Sequence, residues 1–272
     1  MLWTELTATD FPAAVKKSGG VCVLPISSIE RHGGHLPLGC DAWLGAEICR
    51  RASKLEDFVC FPMLPLGVNQ EAAANPGGVG LRTETLQALI LDVCDEIARN
   101  GFDRVILCSS HGGNRYLLPL IVQQWTRMNR DYLVYYLFCW SDQAKLTVPR
   151  PEVNRAGGHA GQFETSAMMA ARGDLVKPDQ RIPDEKALPR PGLEKLNDLG
   201  VYCPNDWYAK YPYHFAGAAE GASRELGEEL LDGMAARMAE TVRMIKADEV
   251  SVRNRAEFNA RMNQGGTLEI PE

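Results

Sequence analysis

The stretch Val21-Cys22-Val23-Leu24-Pro25-Ile26-Ser27-Ser28-Ile29-Glu30-Arg31-His32-Gly33-Gly34-His35-Leu36-Pro37-Leu38-Gly39-Cys40-Asp41 changes character partway along. Its first six residues form an apolar run of strand length. The remainder is a loop punctuated by glycine and proline, and it carries a carboxylate, two imidazoles and a second carboxylate. A continuous apolar run of this length suits a strand buried on both faces, as parallel sheets require. Residues 42–53 follow, with apolar side chains at 43, 44, 48 and 52, which is helical spacing. Strand, polar loop and helix make one unit, and that unit sets the fold.

Three further apolar runs, 59–64, 104–108 and 132–140, read as strands. Between them lie helical patterns. One is capped by Thr83, has Glu84 in its first turn, runs through Leu86, Leu89, Ile90, Val93 and Ile97, and stops at Gly101. Others cover 116–129, 162–172 and about 223–246, the last from its spacing of Leu226, Leu230, Met234, Met238 and Ile245. Strands alternating with helices imply an α/β fold whose mostly parallel sheet is covered on both faces. Residues 176–216 hold six prolines and several aromatics with little periodicity, and read as an ordered loop region within a single domain over 1–272. A tail is expected from about Asn263.

The bulk composition narrows the function. Net charge is −6, and no more than two Lys or Arg stand together, so nucleic acid and anionic membranes have no electrostatic footprint. No window approaches the apolar length of a membrane span. Eight cysteines without a C-x-x-C pair, and an N-terminus lacking a basic and then apolar leader, point to a reducing, cytoplasmic setting.

Of the five histidines, His32 and His35 lie in the opening stretch, and His111 begins His111-Gly112-Gly113-Asn114 directly after the third strand. Both loops leave the carboxyl ends of parallel strands, where open α/β sheets bind their ligands. Glu30, His32, Asp41 and His111, with Glu164 from the segment His159-Ala160-Gly161-Gln162-Phe163-Glu164, make two imidazoles and three carboxylates. That is too many for one tetrahedral zinc and suits two divalent ions with a shared carboxylate; zinc, manganese and iron all fit these ligand types. Between two such ions a water loses its proton near neutral pH and a carbonyl is polarised, so hydrolysis is the expected chemistry. Plainer readings stand beside this. His214 could be packing among aromatics, His35 could orient a ligand rather than be one, and Glu164 could serve its helix dipole. Ser109 and Ser110 beside His111 lack the G-x-S-x-G turn of a serine nucleophile.

Three motifs in order resemble the creatininase family. Ser28-Ile29-Glu30-Arg31-His32-Gly33-Gly34-His35-Leu36-Pro37-Leu38-Gly39-Cys40-Asp41 is similar to its S-x-E-Q-H-G-P-H-L-P-L-x-T-D, Ser109-Ser110-His111-Gly112-Gly113-Asn114 to its N-G-H-G-G-N, and His159 to Ser166 to its H-A-G-x-x-E-T-S. Asn75-Pro76-Gly77-Gly78 is similar to its F-P-G-T. The resemblance implies a three-layer α/β sandwich, a two-metal site, a homo-oligomer (often a hexamer), and hydrolysis of cyclic amides or formamides. By motif position Glu30 and His111 would bind one metal and His32 the other, with Asp41 bridging them. His159 would be a proton shuttle or substrate contact. Gly113 stands where creatininase has a glutamate ligand, so the fifth ligand is expected from Glu164, with Glu71 the weaker candidate. Arg31 replaces the usual glutamine and adds a fork donor suited to an oxygen-rich or anionic small molecule. Trp207, Tyr208 and His214 read as a substrate-facing loop. Two alternatives remain open: hydrolytic carbon–carbon cleavage of a cyclic diketone such as an oxidised inositol, and a non-catalytic binding or assembly protein on the same fold.

Overall fold

Four strands, β1 Val21–Ile26, β2 Val59–Cys60, β3 Arg104–Ser109 and β4 Leu133–Phe138, lie parallel in the order β2-β1-β3-β4. The structure, a computed structural model, describes residues 1–140 and 158–263. Its helices are α1 Phe11–Lys17, α2 Cys40–Ala52, α3 Thr83–Arg99, α4 Leu117–Trp125, α5 Gln162–Arg172, α6 Glu194–Asp198, α7 Asp206–Lys210, α8 Arg224–Lys246 and α9 Glu249–Asn263.

Strand periodicity divides the core into two. Val21 and Val23 of β1, with Ile106 and Cys108 of β3, face α2, α5 and α8 through Leu44, Ile48, Met168 and Leu230. Cys22, Leu24 and Ile26, with Val105 and Leu107, face α3 and α4 through Ile90, Ile97, Leu118 and Ile121. The result is the expected three-layer sandwich. Every residue of β1 is buried, and each of its large aliphatic side chains contributes about 1.5–3 kcal/mol by leaving water.

Several boundaries differ from the sequence reading. β2 is two residues long, not the six of 59–64. Pro25 accepts a hydrogen bond from the Leu64 N–H toward this strand but has no N–H to return, and Pro62 opposite has none either. Pairing resumes at Ile26–Leu64, one residue out of step with Val23–Cys60, so the ladder contains a one-residue bulge. α3 begins at Thr83 itself, after an extended Arg82, with no side-chain cap. α4 ends at Trp125, and turns carry the chain on from there. α8 begins as read, with Ser223 accepting from the Leu226 N–H. α1 and α9 were not foreseen, and the expected tail beyond Asn263 lies outside the described residues. Residues 176–216 form loops, single turns and the short α6 and α7. All eight cysteines are free thiols, and no described helix is long and apolar enough to cross a membrane.

Candidate metal centre and its cavity

Glu30 and His32 lie on the loop that leaves β1, and His111 immediately follows β3. Asp41 is in the first turn of α2 and Glu164 in the first turn of α5. The sheet therefore delivers two ligand loops to one edge. Two helices point their positive ends, each with a carboxylate in its first turn, at the same place. The five side chains meet there in near-complete burial, Glu30 being 2% exposed, Asp41 4% and Glu164 9%.

Asp41 stands at the centre. Its Oδ1 is 2.9 Å from His32 Nε2 and its Oδ2 is 2.9 Å from His111 Nδ1. Glu30 Oε1 lies 3.2 Å from the same His111 Nδ1, and Glu164 Oε2 lies 3.8 Å from the same His32 Nε2. Glu30, Asp41 and His111 form one compact group. On the other side His32 is the common member, grouped with Cys40 and Asp41 and again with His159 and Glu164, so Asp41 reaches both sides and meets Glu164 through His32 Nε2. The remaining ring nitrogens fix the tautomers. His111 Nε2–H donates to the Val68 carbonyl at 2.7 Å, and His32 Nδ1–H to the Glu30 carbonyl at 3.2 Å, so each ring presents its other nitrogen to the carboxylates. Burial works against a charge on either ring, but Cys40 and Asp41 at His32, and Glu30 and Asp41 at His111, outweigh it and raise both well above the ordinary imidazole range. Val68 is itself held by Asn114, whose side chain accepts the Val68 N–H at 2.9 Å. The asparagine closing His111-Gly112-Gly113-Asn114 therefore orients the histidine that opens it.

No Lys or Arg nitrogen contacts Glu30, Asp41 or Glu164 among the described residues. Three buried carboxylates are thus balanced by imidazoles alone, and a divalent metal pair that takes the place of the ring protons between them fits the donor set. Burial works against the Glu30 charge, but His111 and the neighbouring imidazoles outweigh it and hold this carboxyl well below the ordinary range. Glu164 goes the other way: burial, opposed by His32 and reinforced by Asp41, pushes it up to about 7. Burial also drives Cys40, beside His32, up to about 12, so it remains a thiol.

His159 and His214 flank the cluster. His159 Nε2–H donates to the Arg31 carbonyl at 2.7 Å, and its ring lies 4.0 Å from that of His32. Burial and the charge of His32 bring it down to about 3, so it is neutral with a free Nδ1 3.7 Å from Glu30 Oε1. His214 is a link rather than loose packing: Trp207 Nε1–H donates to its Nδ1 at 3.3 Å, and its Nε2–H donates to Glu30 Oε2 at 3.3 Å. His214 holds φ 51° to do so, and Ala160, beside His159, holds φ 58°. Both are positions where side chains are strained, and both adjoin the cluster.

A cavity of about 380 Å³ opens over Glu30, Asp41, His111, His159 and Glu164. Trp207, His214 and Glu71 line it, but Glu71 belongs to neither ligand group. Two of the residues expected to face substrate are absent from the lining of this cavity. Arg31 does not line the cavity, because its guanidinium donates to the Gly33 carbonyl at 2.9 Å and to Asn75 Oδ1 at 3.1 Å. Tyr208 is 45% exposed and does not line it either. Among the described residues the cation in the cavity wall is Arg115, stacked 4.9 Å from the Tyr116 ring centroid, with Tyr202 near it. These three were not singled out from sequence, although Arg115 directly follows the glycine motif. Ser109 and Ser110 spend their hydroxyls on the carbonyls of His111 and Asp41, which removes them as nucleophiles. Gly113 leaves no room for the missing glutamate: a Cβ there would run into the Val68 carbonyl and come within 2.5 Å of His111 Nε2.

A family model described as creatininase, creatinine amidohydrolase, matches residues 4–242. Creatinine amidohydrolase of Pseudomonas putida is 28% identical over 259 residues, covering 88% of this chain and 95% of that protein. The mycofactocin precursor peptide peptidase of Mycolicibacterium smegmatis is 26% identical over 66% of this chain and 72% of its own length. The 3-dehydro-scyllo-inosose hydrolase of Thermotoga maritima is 22% identical over 84% of this chain and 78% of its own. A manganese form of creatininase superposes with a TM-score of 0.74 at 25% identity, covering 91% of this chain and 99% of that one.

Proposed function

The chain belongs to the creatininase family, and on that premise we propose that it is a two-metal hydrolase of a small cyclic amide or formamide. The observation that carries this is the Asp41 carboxylate, with one oxygen at His32 and the other at His111. His111, Glu30 and Asp41 would hold one divalent ion, and His32, Asp41 and Glu164 the second. Bound there, zinc, manganese or iron would supply Lewis-acid polarisation of the carbonyl and acidify a water.

The chain's own groups do the rest. Trp207 and His214 hold Glu30 in place through two hydrogen bonds, so its second oxygen stays aimed at the cluster. His159, neutral and fixed on the Arg31 carbonyl, offers a free Nδ1 as hydrogen-bond acceptor for the attacking water or the substrate. The cavity volume suits a small molecule, with Trp207 as an apolar wall.

Elemental mass spectrometry on protein purified without chelator is expected to find close to two such ions per chain, and none in Asp41→Ala. A screen of cyclic amides and formamides should then give turnover that vanishes in the same variant; full activity in Asp41→Ala would remove the proposal. Similarity to the Thermotoga inosose hydrolase favours a second reading, in which the same groups cleave a carbon–carbon bond of a cyclic diketone. Turnover of dehydro-inositols with no turnover of any amide would select it.

A further inference from the structure

His35 is 2% exposed and its ring belongs to neither ligand group. Its Nε2 lies 2.9 Å from Thr165 Oγ1, and that hydroxyl also lies 3.2 Å from the Ala160 carbonyl. The carbonyl can only accept, so Thr165 donates to it and accepts from His35 Nε2–H. The opposite arrangement would leave a buried, orphaned N–H at His35 Nδ1, which has no partner; as drawn, the orphan is a lone pair, which costs less. Ala160 sits at φ 58°, a conformation it holds only under constraint, and in that pose its own N–H donates to Glu164 Oε2 at 2.6 Å. The chain of contacts therefore runs from His35 to Thr165, to the carbonyl and N–H on either side of one strained residue, Ala160, and to the Glu164 carboxylate.

We propose that His35, acting through Thr165 and the strained Ala160 backbone, is the positioning residue that aims Glu164 at His32, so that it sets the affinity of one metal position and leaves the other unchanged. Glu30 makes no hydrogen bond to His35, Thr165 or Ala160; it is positioned by His214 and Trp207. The proposal rests on the reading of Glu164 as a metal ligand, and its test separates the two.

Zinc affinity is measured for both positions by chelator competition, alongside ions per chain. Glu164→Gln is expected to leave one ion per chain. Thr165→Val has nearly the same shape but no hydroxyl, and should weaken the same position about 10- to 100-fold, the usual cost of a lost group behind a metal ligand. His35→Leu should do likewise. Thr165→Ser and His35→Gln, which keep the hydroxyl and an N–H near Nε2, should restore it. Two ions of undisturbed affinity in Thr165→Val, with Glu164→Gln holding one, overturn the positioning role alone. Two ions in Glu164→Gln remove the ligand reading and this proposal with it. A purely structural role for His35 would lower the melting temperature in His35→Leu but would spare metal affinity in Thr165→Val. Independently of any variant, imidazole nitrogen NMR of the wild-type protein should find His35 protonated at Nε2; protonation at Nδ1 overturns the relay.

Discussion

The two halves of the cluster use the same donor types and differ in how those donors are held. On one side Glu30 sits among His111, His159 and His214, and burial fails to keep it from ionising. On the other, Glu164 has His32 at 3.8 Å, neutral His159 nearby and one backbone N–H, and burial pushes it up to about 7. One half is already charged for a cation, while the other is half protonated at neutral pH until a cation arrives. Equal chemistry on paper becomes unequal affinity through the neighbours. Asp41 belongs to both halves and couples them.

Removing the shared member is the harshest test of that contrast. Asp41→Asn should cost turnover roughly 10²–10⁴-fold, corresponding to the several kcal/mol that Lewis-acid polarisation supplies, and take the chain from two ions to none by elemental analysis. Glu30→Gln and Glu164→Gln should then part company. Each is expected to empty its own half first, with the ion of the Glu30 side the tighter of the two in calorimetry. Identical loss of both ions in both variants would erase the distinction. Gly113→Ala acts on one half only, because its Cβ collides with the Val68 carbonyl that orients His111. A stability loss of about 1–3 kcal/mol in denaturant, with weaker metal binding on the Glu30 side, is the expected outcome.

The smallest effect is in the pH dependence of the metal-free protein. Glu164 is raised from an ordinary 4.5 to about 7. Across that window the unfolded chain has released this proton and the folded chain has kept it, so this group's contribution falls as pH rises from about 4.5 to about 7. Glu30, held low, contributes in the opposite sense, and its share is lost only as pH falls through its depressed value. In chelated samples Glu164→Gln should therefore gain a few degrees on the wild type between pH 5 and pH 7. An unchanged difference would show that Glu164 does not titrate there.

What the sequence revealed followed local periodicity, and what it hid depended on distant neighbours. β1 and β3 were readable because every residue in them is apolar or nearly so, and α8 because Leu226, Leu230, Met234 and Met238 keep one face. The shortness of β2 was half legible, in Pro62 within its own run, and half hidden, because the other missing donor belongs to Pro25 on another strand. α9 escaped because it buries none of its residues and carries charge all round. At the site, the ligand types were legible from the motifs, but their pairing was not, since it depends on how two loops approach. Arg31 and Arg115 illustrate the limit. Both adjoin a ligand motif, and the grip of the Gly33 carbonyl and of Asn75, the latter 44 residues away, turns the Arg31 guanidinium from the cavity wall.

The hydrogen bond from His214 to Glu30 spans 184 residues of chain. Loop closure of that length is among the last events a folding chain completes, after β1, β3 and α2 have gathered their own contacts. The grip on Glu30 thus closes a longer loop than the 70 residues between Asp41 and His111, and is expected to tighten after them. Refolding in the presence of zinc should accordingly be biphasic, with a fast loose capture followed by a slow gain in retention that tracks the fluorescence of Trp207.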